Sequence, residues 1–125
     1  MKHFASLAAL LALASSSPLV AQTASAIGDG KADDTAAIQK AVEGGGAVRF
    51  KRGVYRLTKT VVINLDATGF TSLAGDGVAR FVMEGAGPTF KFIGTHEGTA
   101  DPMTFKPNIF ERQRTPMVDG IEIVG

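Results

Sequence analysis

The sequence predicts an all-β protein made of short strands, preceded by one short helix. From Ala47 onward, apolar and polar residues alternate in short runs, which is the period of a half-buried β-strand. Glycines separate these runs at intervals of about eight to twelve residues, as turns do in all-β folds. Two architectures fit this pattern: a small sandwich or barrel, and a β-solenoid whose coils stack on one another.

The predicted helix begins at Asp33-Asp34-Thr35 and is stopped by three consecutive glycines, Gly44 to Gly46. Either aspartate can accept backbone N–H groups as the N-cap residue, and its charge favours the positive end of the helix. Ile38 and Val42 are four residues apart and share one apolar face. In a solenoid, this face would cover the exposed end of the first coil. The structural caps that we assign are Asp33, Asp34, Gly45 and Gly46.

Each predicted strand places apolar side chains on one face and mostly polar side chains on the other. The segment from Thr95 to Pro116 is less regular, and we expect a loop-rich excursion there with one strand near Met103 to Phe105. The apolar faces are formed by Val48 and Phe50; Tyr55 and Leu57; Val61, Ile63 and Leu65; Phe81 and Met83; Phe90 and Phe92; Ile121 and Ile123.

The first 26 residues have the pattern of an export signal. Lys2 and His3 form a basic start, and the apolar run from Phe4 to Ala14 is too short to span a bilayer. Small and polar residues follow, with two candidate cleavage points, after Ala21 and after Ala26. We therefore predict a signal peptide over residues 1–26, a β domain over residues 27–125, and export to the bacterial periplasm or the medium.

Charge balance and cysteine usage limit the class of partner. The chain has 13 Lys and Arg against 12 Asp and Glu, so loss of Lys2 with the signal leaves a neutral mature chain. A neutral chain has no field of one sign to attract nucleic acid, and we expect no such partner. The absence of cysteine suits a bacterial exported protein that relies on packing. We expect no membrane span after signal removal.

Four basic residues, Arg49, Lys51, Arg52 and Arg56, cluster around one predicted turn. The fork of an arginine guanidinium matches a carboxylate, so the cluster is a candidate binding site for an acidic polysaccharide. The alternative is structural: Arg49 and Arg56 would be outward strand residues, and Lys51 and Arg52 a solvated turn.

Acidic residues offer a weaker case for chemistry. Glycoside hydrolysis requires two carboxylates, and Asp33 and Asp34 are adjacent, although capping the helix accounts for both. With Asp29 they resemble a calcium cluster, but Lys31 stands where an oxygen ligand is needed.

One loop, GTHEGTAD, contains the candidate pair His96 and Glu97. The histidine could act as a base that the glutamate orients, or both could form a polar loop tip. Since the mature chain has no second histidine, we do not expect a histidine-based metal site.

Several motifs follow one another in a specific order: Gly28-Asp29-Gly30, the run from Asp33 to Gln39, Gly45-Gly46, Val48-Arg49-Phe50, Gly53-Val54-Tyr55, and a second Gly-Asp-Gly turn within Leu73 to Gly77. Together they resemble the start of a pectate-lyase-like domain of the rhamnogalacturonase and epimerase group. The resemblance implies a right-handed parallel β-helix with an N-terminal capping helix. It also implies an exported protein that acts on acidic polysaccharide as a lyase, hydrolase or epimerase, or a non-catalytic adhesin or binding module.

The resemblance also implies many coils of roughly twenty-odd residues each, whereas this sequence offers about three. We therefore expect an N-terminal part of a longer protein, with the catalytic residues further along its chain. No cofactor site is convincing in this chain, although a lyase parent could use calcium.

Overall fold

A computed structural model describes residues 21–95, 101–104 and 106–125. Strands dominate this part of the chain, and every strand pair is parallel. The all-β class is confirmed. The elements are β1 (Gln22–Thr23), β2 (Asp29–Asp33), α1 (Thr35–Glu43), β3 (Gly46–Arg49), β4 (Gly53–Leu57), β5 (Val61–Asn64), α2 (Leu65–Thr68), β6 (Thr71–Met83), β7 (Phe90–Ile93), a 3₁₀ turn (Pro102–Thr104), α3 (Ile109–Arg112) and β8 (Val118–Val124).

The strands form two parallel sheets. In the larger sheet the order is β1-β3-β6-β4-β2, and β8 also pairs with β6; the smaller sheet is β5-β7. The long strand β6 pairs with β3 through its first half and with β4 through its second half. Between the halves, Asp76 and Gly77 have φ angles of 52° and 74°, which mark the predicted Gly-Asp-Gly turn.

Successive segments of the chain return to the same register. Val48 lies opposite Gln22 on one side and opposite Leu73 on the other, and Leu73 in turn lies opposite Val118. Each return passes through α1 or through the smaller sheet. This parallel stacking favours the solenoid over the sandwich or barrel.

The core lies inside the stacked coils and is rich in aromatic rings. Tyr55 and Phe81 face each other in register with ring centroids 5.0 Å apart and planes at 22°. Phe50 meets both rings edge-on, and Phe90 meets Phe81 in the same way. Such aromatic pairs add about 0.5–1.5 kcal/mol each beyond area burial.

The predicted apolar faces are buried from Val48 to Met83, but burial falls in the later strands. Phe90, Phe92 and Ile121 pack against the core while only partly buried. Ile123 is 53% exposed, because β8 has a neighbouring strand on one side alone in the described sheet.

Two predicted strand segments are helical instead. Leu65 starts α2, because the Asn64 side chain accepts the N–H groups of Asp66 and Ala67 and so caps a helical turn. The strand expected near Met103 is wrong for the described residues, since Pro102–Thr104 forms a 3₁₀ turn in which Asp101 accepts the Met103 N–H.

Helix α1 forms where the sequence predicts it and buries Ile38, Ala41 and Val42. It packs against β5 and β3. The side-chain cap predicted at Asp34 requires a correction: Asp34 occupies the N-cap position and its backbone carbonyl accepts the Ile38 N–H, but its side chain makes no bond to the helix. Its carboxylate instead accepts the N–H groups of Ile27 (2.7 Å) and Gly28 (3.0 Å), so it holds the preceding turn.

Asp33 bonds to the start of the helix. Its carboxylate accepts the N–H and O–H of Thr35, at 3.0 and 2.5 Å, and the O–H of Thr58, at 2.6 Å. The Thr35 and Thr58 hydroxyls, then the Thr35 N–H and the charge of Arg56, lower the pKa of Asp33 to about 2. Asp33 thereby joins the first turn of α1 to the residue that follows β4.

The glycines after α1 take the left-handed conformation that the sequence predicts. Gly45 and Gly46 have φ angles of 66° and 75°. The Gly45 N–H donates to the Val42 carbonyl, and the Gly46 N–H donates to the Phe70 carbonyl. A Cβ at Gly45 would lie 2.6 Å from the Thr68 carbonyl oxygen, whereas a Cβ at Gly46 would meet nothing within 4 Å.

We expect the Gly45→Ala substitution to lower the free energy of unfolding by about 2–5 kcal/mol. Left-handed strain contributes about 1–2 kcal/mol, and crowding against Thr68 adds about 1–3 kcal/mol. Gly46→Ala is the matched control, because it adds the same left-handed backbone strain but no crowding of the new Cβ. Denaturant unfolding of both variants measures the difference, and equal losses would contradict the role of the Thr68 contact.

We expect Asp33→Asn to reduce the loss of stability in acid. Because the pKa of Asp33 falls from 3.8 to about 2 on folding, its contribution is fully present above about pH 4. That contribution is lost as the pH falls through about 2. Urea unfolding between pH 5 and pH 2 checks this, with Asp119→Asn as the control. The prediction fails if both variants lose stability as steeply as the parent chain.

Candidate functional site

The four basic residues of the predicted cluster surround one corner of a coil. Arg49 ends β3, Lys51 and Arg52 form the turn, and Arg56 lies within β4. Between them, Phe50 points inward and is buried. The Tyr55 hydroxyl donates to the Lys51 carbonyl at 2.7 Å, so the turn is tied to the core. We call these four residues the basic corner.

Two residues of the basic corner are ion-paired with the next coil. The Arg49 Nε lies 3.6 Å from the Asp76 Oδ2, and the Arg56 Nη2 lies 2.7 Å from the Glu84 Oε2. The hydrogen bond that Arg56 donates to the Glu84 carboxylate raises the pKa of Arg56 further above its usual range. Both pairs are partly or largely solvent-exposed, and exposed pairs contribute only about 0–1 kcal/mol each.

Lys51 and Arg52 differ from the two strand arginines. Both side chains are exposed, and neither makes an ion pair within the described part of the chain. They therefore present uncompensated positive charge at the tip of the basic corner. This arrangement is the one that the structural alternative predicts: Arg49 and Arg56 lie on strands, and Lys51 and Arg52 form an exposed turn.

The acidic partners of the corner, Asp76 and Glu84, were not identified from the sequence. The sequence does contain a signal that could have identified them, because two residues that pair across adjacent coils are separated by about one coil length. Arg56 and Glu84 are 28 residues apart. The strand register also brings the Arg80 Nε to 3.6 Å from the Glu122 Oε2, although the long Thr95–Pro116 segment separates these two residues by more than the usual coil length.

The three carboxylates near the first Gly-Asp-Gly motif are engaged in separate local contacts. Asp29 accepts the N–H groups of Lys31 and Ala32, and these bonds lower its pKa. Asp34 holds the turn at Ile27, and Asp33 binds the threonines. Across the described ranges, no group of three His, Cys, Asp or Glu residues is placed to hold a metal ion. His96 and Glu97 lie outside the described residues.

The described surface includes two concavities at different places. One lies at the start of α1 and is lined by Asp33, Thr35, Gln39, Thr58 and Lys59 among others. The other is apolar and lies beside β8, with Met83, Phe90, Val118 and Ile123 in its lining. In residues 21–95, 101–104 and 106–125, no helix has the length and apolar character needed to cross a membrane.

Comparison with known proteins gives one finding for this chain. The family model described as rhamnogalacturonase A/epimerase, pectate lyase-like, matches residues 20–119. No curated protein and no solved structure matches the chain significantly. The matched segment runs from β1 through α1 and the stacked strands to the start of β8. The chain therefore belongs to the rhamnogalacturonase A/epimerase family of pectate lyase-like proteins.

Proposed function

We propose that this chain forms the N-terminal coils of an exported, right-handed parallel β-helix protein that acts on uronate-containing polysaccharide. The pectate lyase-like family is associated with carbohydrate-active proteins, and the parallel stacked strands support the β-helix. In this proposal α1 is the N-terminal cap, because it packs on β3 and β5 and buries its apolar face there. The parent activity would be that of a lyase, a hydrolase or an epimerase.

The observation that carries the substrate class is the uncompensated charge at Lys51 and Arg52. Uronate polymers carry a carboxylate on each uronate sugar, and guanidinium and ammonium groups bind carboxylates by charge-assisted hydrogen bonds. The exposed pairs at Arg49 and Arg56 are weak enough for a polyanion to compete for both arginines. The basic corner is thus suited to hold an acidic polysaccharide chain against the side of the coils.

The carboxylates of the first coils support a binding role for this segment rather than a catalytic one. Asp33 and Asp34 accept hydrogen bonds from the backbone or from threonines. With a pKa of about 2, Asp33 remains ionised at neutral pH and cannot serve as a general acid. We therefore assign catalysis to residues beyond the basic corner. The alternative is a polysaccharide-binding module or adhesin without catalysis.

The geometry of β1 bears on the two candidate cleavage points. Gln22 and Thr23 pair with β3, and the Ala24 N–H donates to the Arg49 carbonyl. Ala24 and Ala26 also pack against the core. Cleavage after Ala26 would remove all of these contacts, whereas cleavage after Ala21 would preserve them.

We expect the exported chain to begin at Gln22. N-terminal sequencing and intact mass of the protein from the periplasmic and medium fractions measure this directly. A chain that begins at Ile27 would show that β1 is dispensable, and retention of residues 1–21 in both fractions would contradict the export signal.

We expect Lys51→Gln/Arg52→Gln to weaken binding to polygalacturonate by roughly 2- to 30-fold. This range follows from about 0.2–1 kcal/mol for each exposed charge pair. Affinity electrophoresis in gels containing the polymer measures the change. The matched control is Lys40→Gln/Lys91→Gln, which removes the same charge from two other exposed positions.

Equal weakening of binding in both double variants would show a general charge effect. It would contradict a specific role of the basic corner in polysaccharide binding. Binding of a neutral polymer as tightly as polygalacturonate would contradict the substrate class. In the exported protein, new unsaturated sugar ends would identify a lyase, and new reducing ends without unsaturation would identify a hydrolase.

A further inference from the structure

The segment between β7 and β8 carries an aromatic ring that is not part of the core. Phe110 lies in α3 and is 84% exposed, whereas the core ring of Phe81 is fully buried. A surface concavity of about 390 Å³ adjoins this ring, and its volume lies within the range of small-ligand sites. We call it the α3 concavity, and it is lined by Ile109, Phe110, Gln113, Arg114 and Thr115.

Helix α3 is fixed against α2 by polar contacts. The Arg112 Nη2 donates to the carbonyls of Asp66, at 2.9 Å, and of Ala67, at 2.8 Å. The Lys106 ammonium group pairs with the Asp66 carboxylate. These contacts hold the α3 concavity in place, and a site that is already ordered loses less conformational freedom when a ligand binds.

Gln113 supplies a hydrogen-bond donor to the α3 concavity. Its side chain accepts the N–H of the buried Thr95 at 3.3 Å and the Thr95 hydroxyl at 3.2 Å. Because the backbone N–H can only donate, the accepting atom must be the amide oxygen Oε1. The Nε2 of Gln113 is left with no hydrogen-bond partner within the segments that the structure describes.

Arg114 supplies a positive charge to the α3 concavity. Its guanidinium carbon lies 5.8 Å from the centroid of the Phe70 ring, and a guanidinium over a ring keeps the N–H groups of its edge free to donate. Arg114 makes no ion pair with the described acidic residues. Its φ of 49° is unfavourable for a bulky side chain, and backbone of this kind is concentrated at binding and catalytic sites.

We propose that the α3 concavity binds one acidic sugar of the polysaccharide, with the sugar ring on Phe110 and the carboxylate on Arg114. One face of a pyranose ring presents C–H groups that are weakly positive, and these match the negative face of an aromatic ring. The unpaired donors of Gln113 and Arg114 match the oxygen atoms of a carboxylate. The inference rests on the proposed function and adds a contact that recognises the sugar ring itself.

The α3 concavity is separate from the basic corner. The Phe70 carbonyl accepts the N–H of Gly46, the first residue of β3, whereas the basic corner begins at Arg49, the last residue of that strand. The exposed cations of the basic corner recognise negative charge alone. The α3 concavity adds an aromatic face, so it should distinguish a sugar acid from a polyanion that has no sugar ring.

The test titrates the full chain with trigalacturonate and follows the backbone amide signals by NMR. We expect the amides from Phe110 to Thr115 to shift, and the affinity of this site is determined from those shifts alone. Phe110→Ala should weaken the affinity by roughly 2- to 13-fold. Arg114→Gln should weaken it by roughly 2- to 5-fold, and Phe110→Tyr, which keeps the ring, should retain it.

Each variant has a matched control. Met103→Ala removes another exposed apolar side chain of the same segment, which is 88% exposed, and Lys91→Gln removes one exposed positive charge elsewhere. Neither should change the affinity at the α3 concavity. Triglutamate controls for the ligand, because it carries carboxylates without a sugar ring, and we expect it to shift Lys51 and Arg52 but not the α3 concavity.

Shifts confined to Lys51 and Arg52 would overturn the inference and leave the proposed function intact. No shift at either site, together with no binding of polygalacturonate, would overturn both. Equal shifts of the α3 concavity with triglutamate would remove the role of the sugar ring, and equal shifts with neutral maltotriose would remove the role of the carboxylate. If Phe110→Ala does not fold, Phe110→Leu replaces it, and unchanged affinity in the variant used would overturn the inference.

Discussion

Parallel pairing along β6 is the interaction on which the rest of the structure depends. This strand binds β3 through one half, β4 through the other, and β8 along its opposite edge. The pairing places Phe81 opposite Tyr55 and within edge-on contact of Phe50. The aromatic core therefore exists because three successive returns of the chain share one register, and a slip by one residue would turn every inward side chain outward.

The outer surface of the coils follows from the same register. Residues that are one coil apart become neighbours, so Arg56 meets Glu84 and Arg80 meets Glu122. The turn residues Lys51 and Arg52 have no acidic partner of this kind within the described part of the chain, so their positive charge is not compensated by an ion pair. The exposed positive charge of the turn between β3 and β4 and the framework of stacked strands are thus two consequences of one repeat.

At the N-terminal end of the coils, polar side chains bind backbone and hydroxyl groups that no neighbouring strand pairs. Asp34 satisfies the turn before α1, Asp33 ties α1 to Thr58, and Gln39 pairs with the backbone of β5. Each of these side chains occupies backbone or hydroxyl groups that would otherwise need water or another chain. The helix contributes apolar cover through Ile38 and Val42, and its polar residues close the adjacent edges.

The amino-acid sequence by itself determined the all-β class, the position of α1, the glycines that stop it and the inward faces of the strands from Val48 to Met83. These features depend on local alternation and on backbone freedom at Gly45 and Gly46, which can be recognised within a few residues. Only the tertiary structure decided that the Asp34 carboxylate binds Ile27 instead of capping the helix, that Leu65 begins α2 and that Arg49 and Arg56 are paired. The ion-pair partners lie a full coil away in sequence, so the contacts exist only once the register of the stacked strands is set.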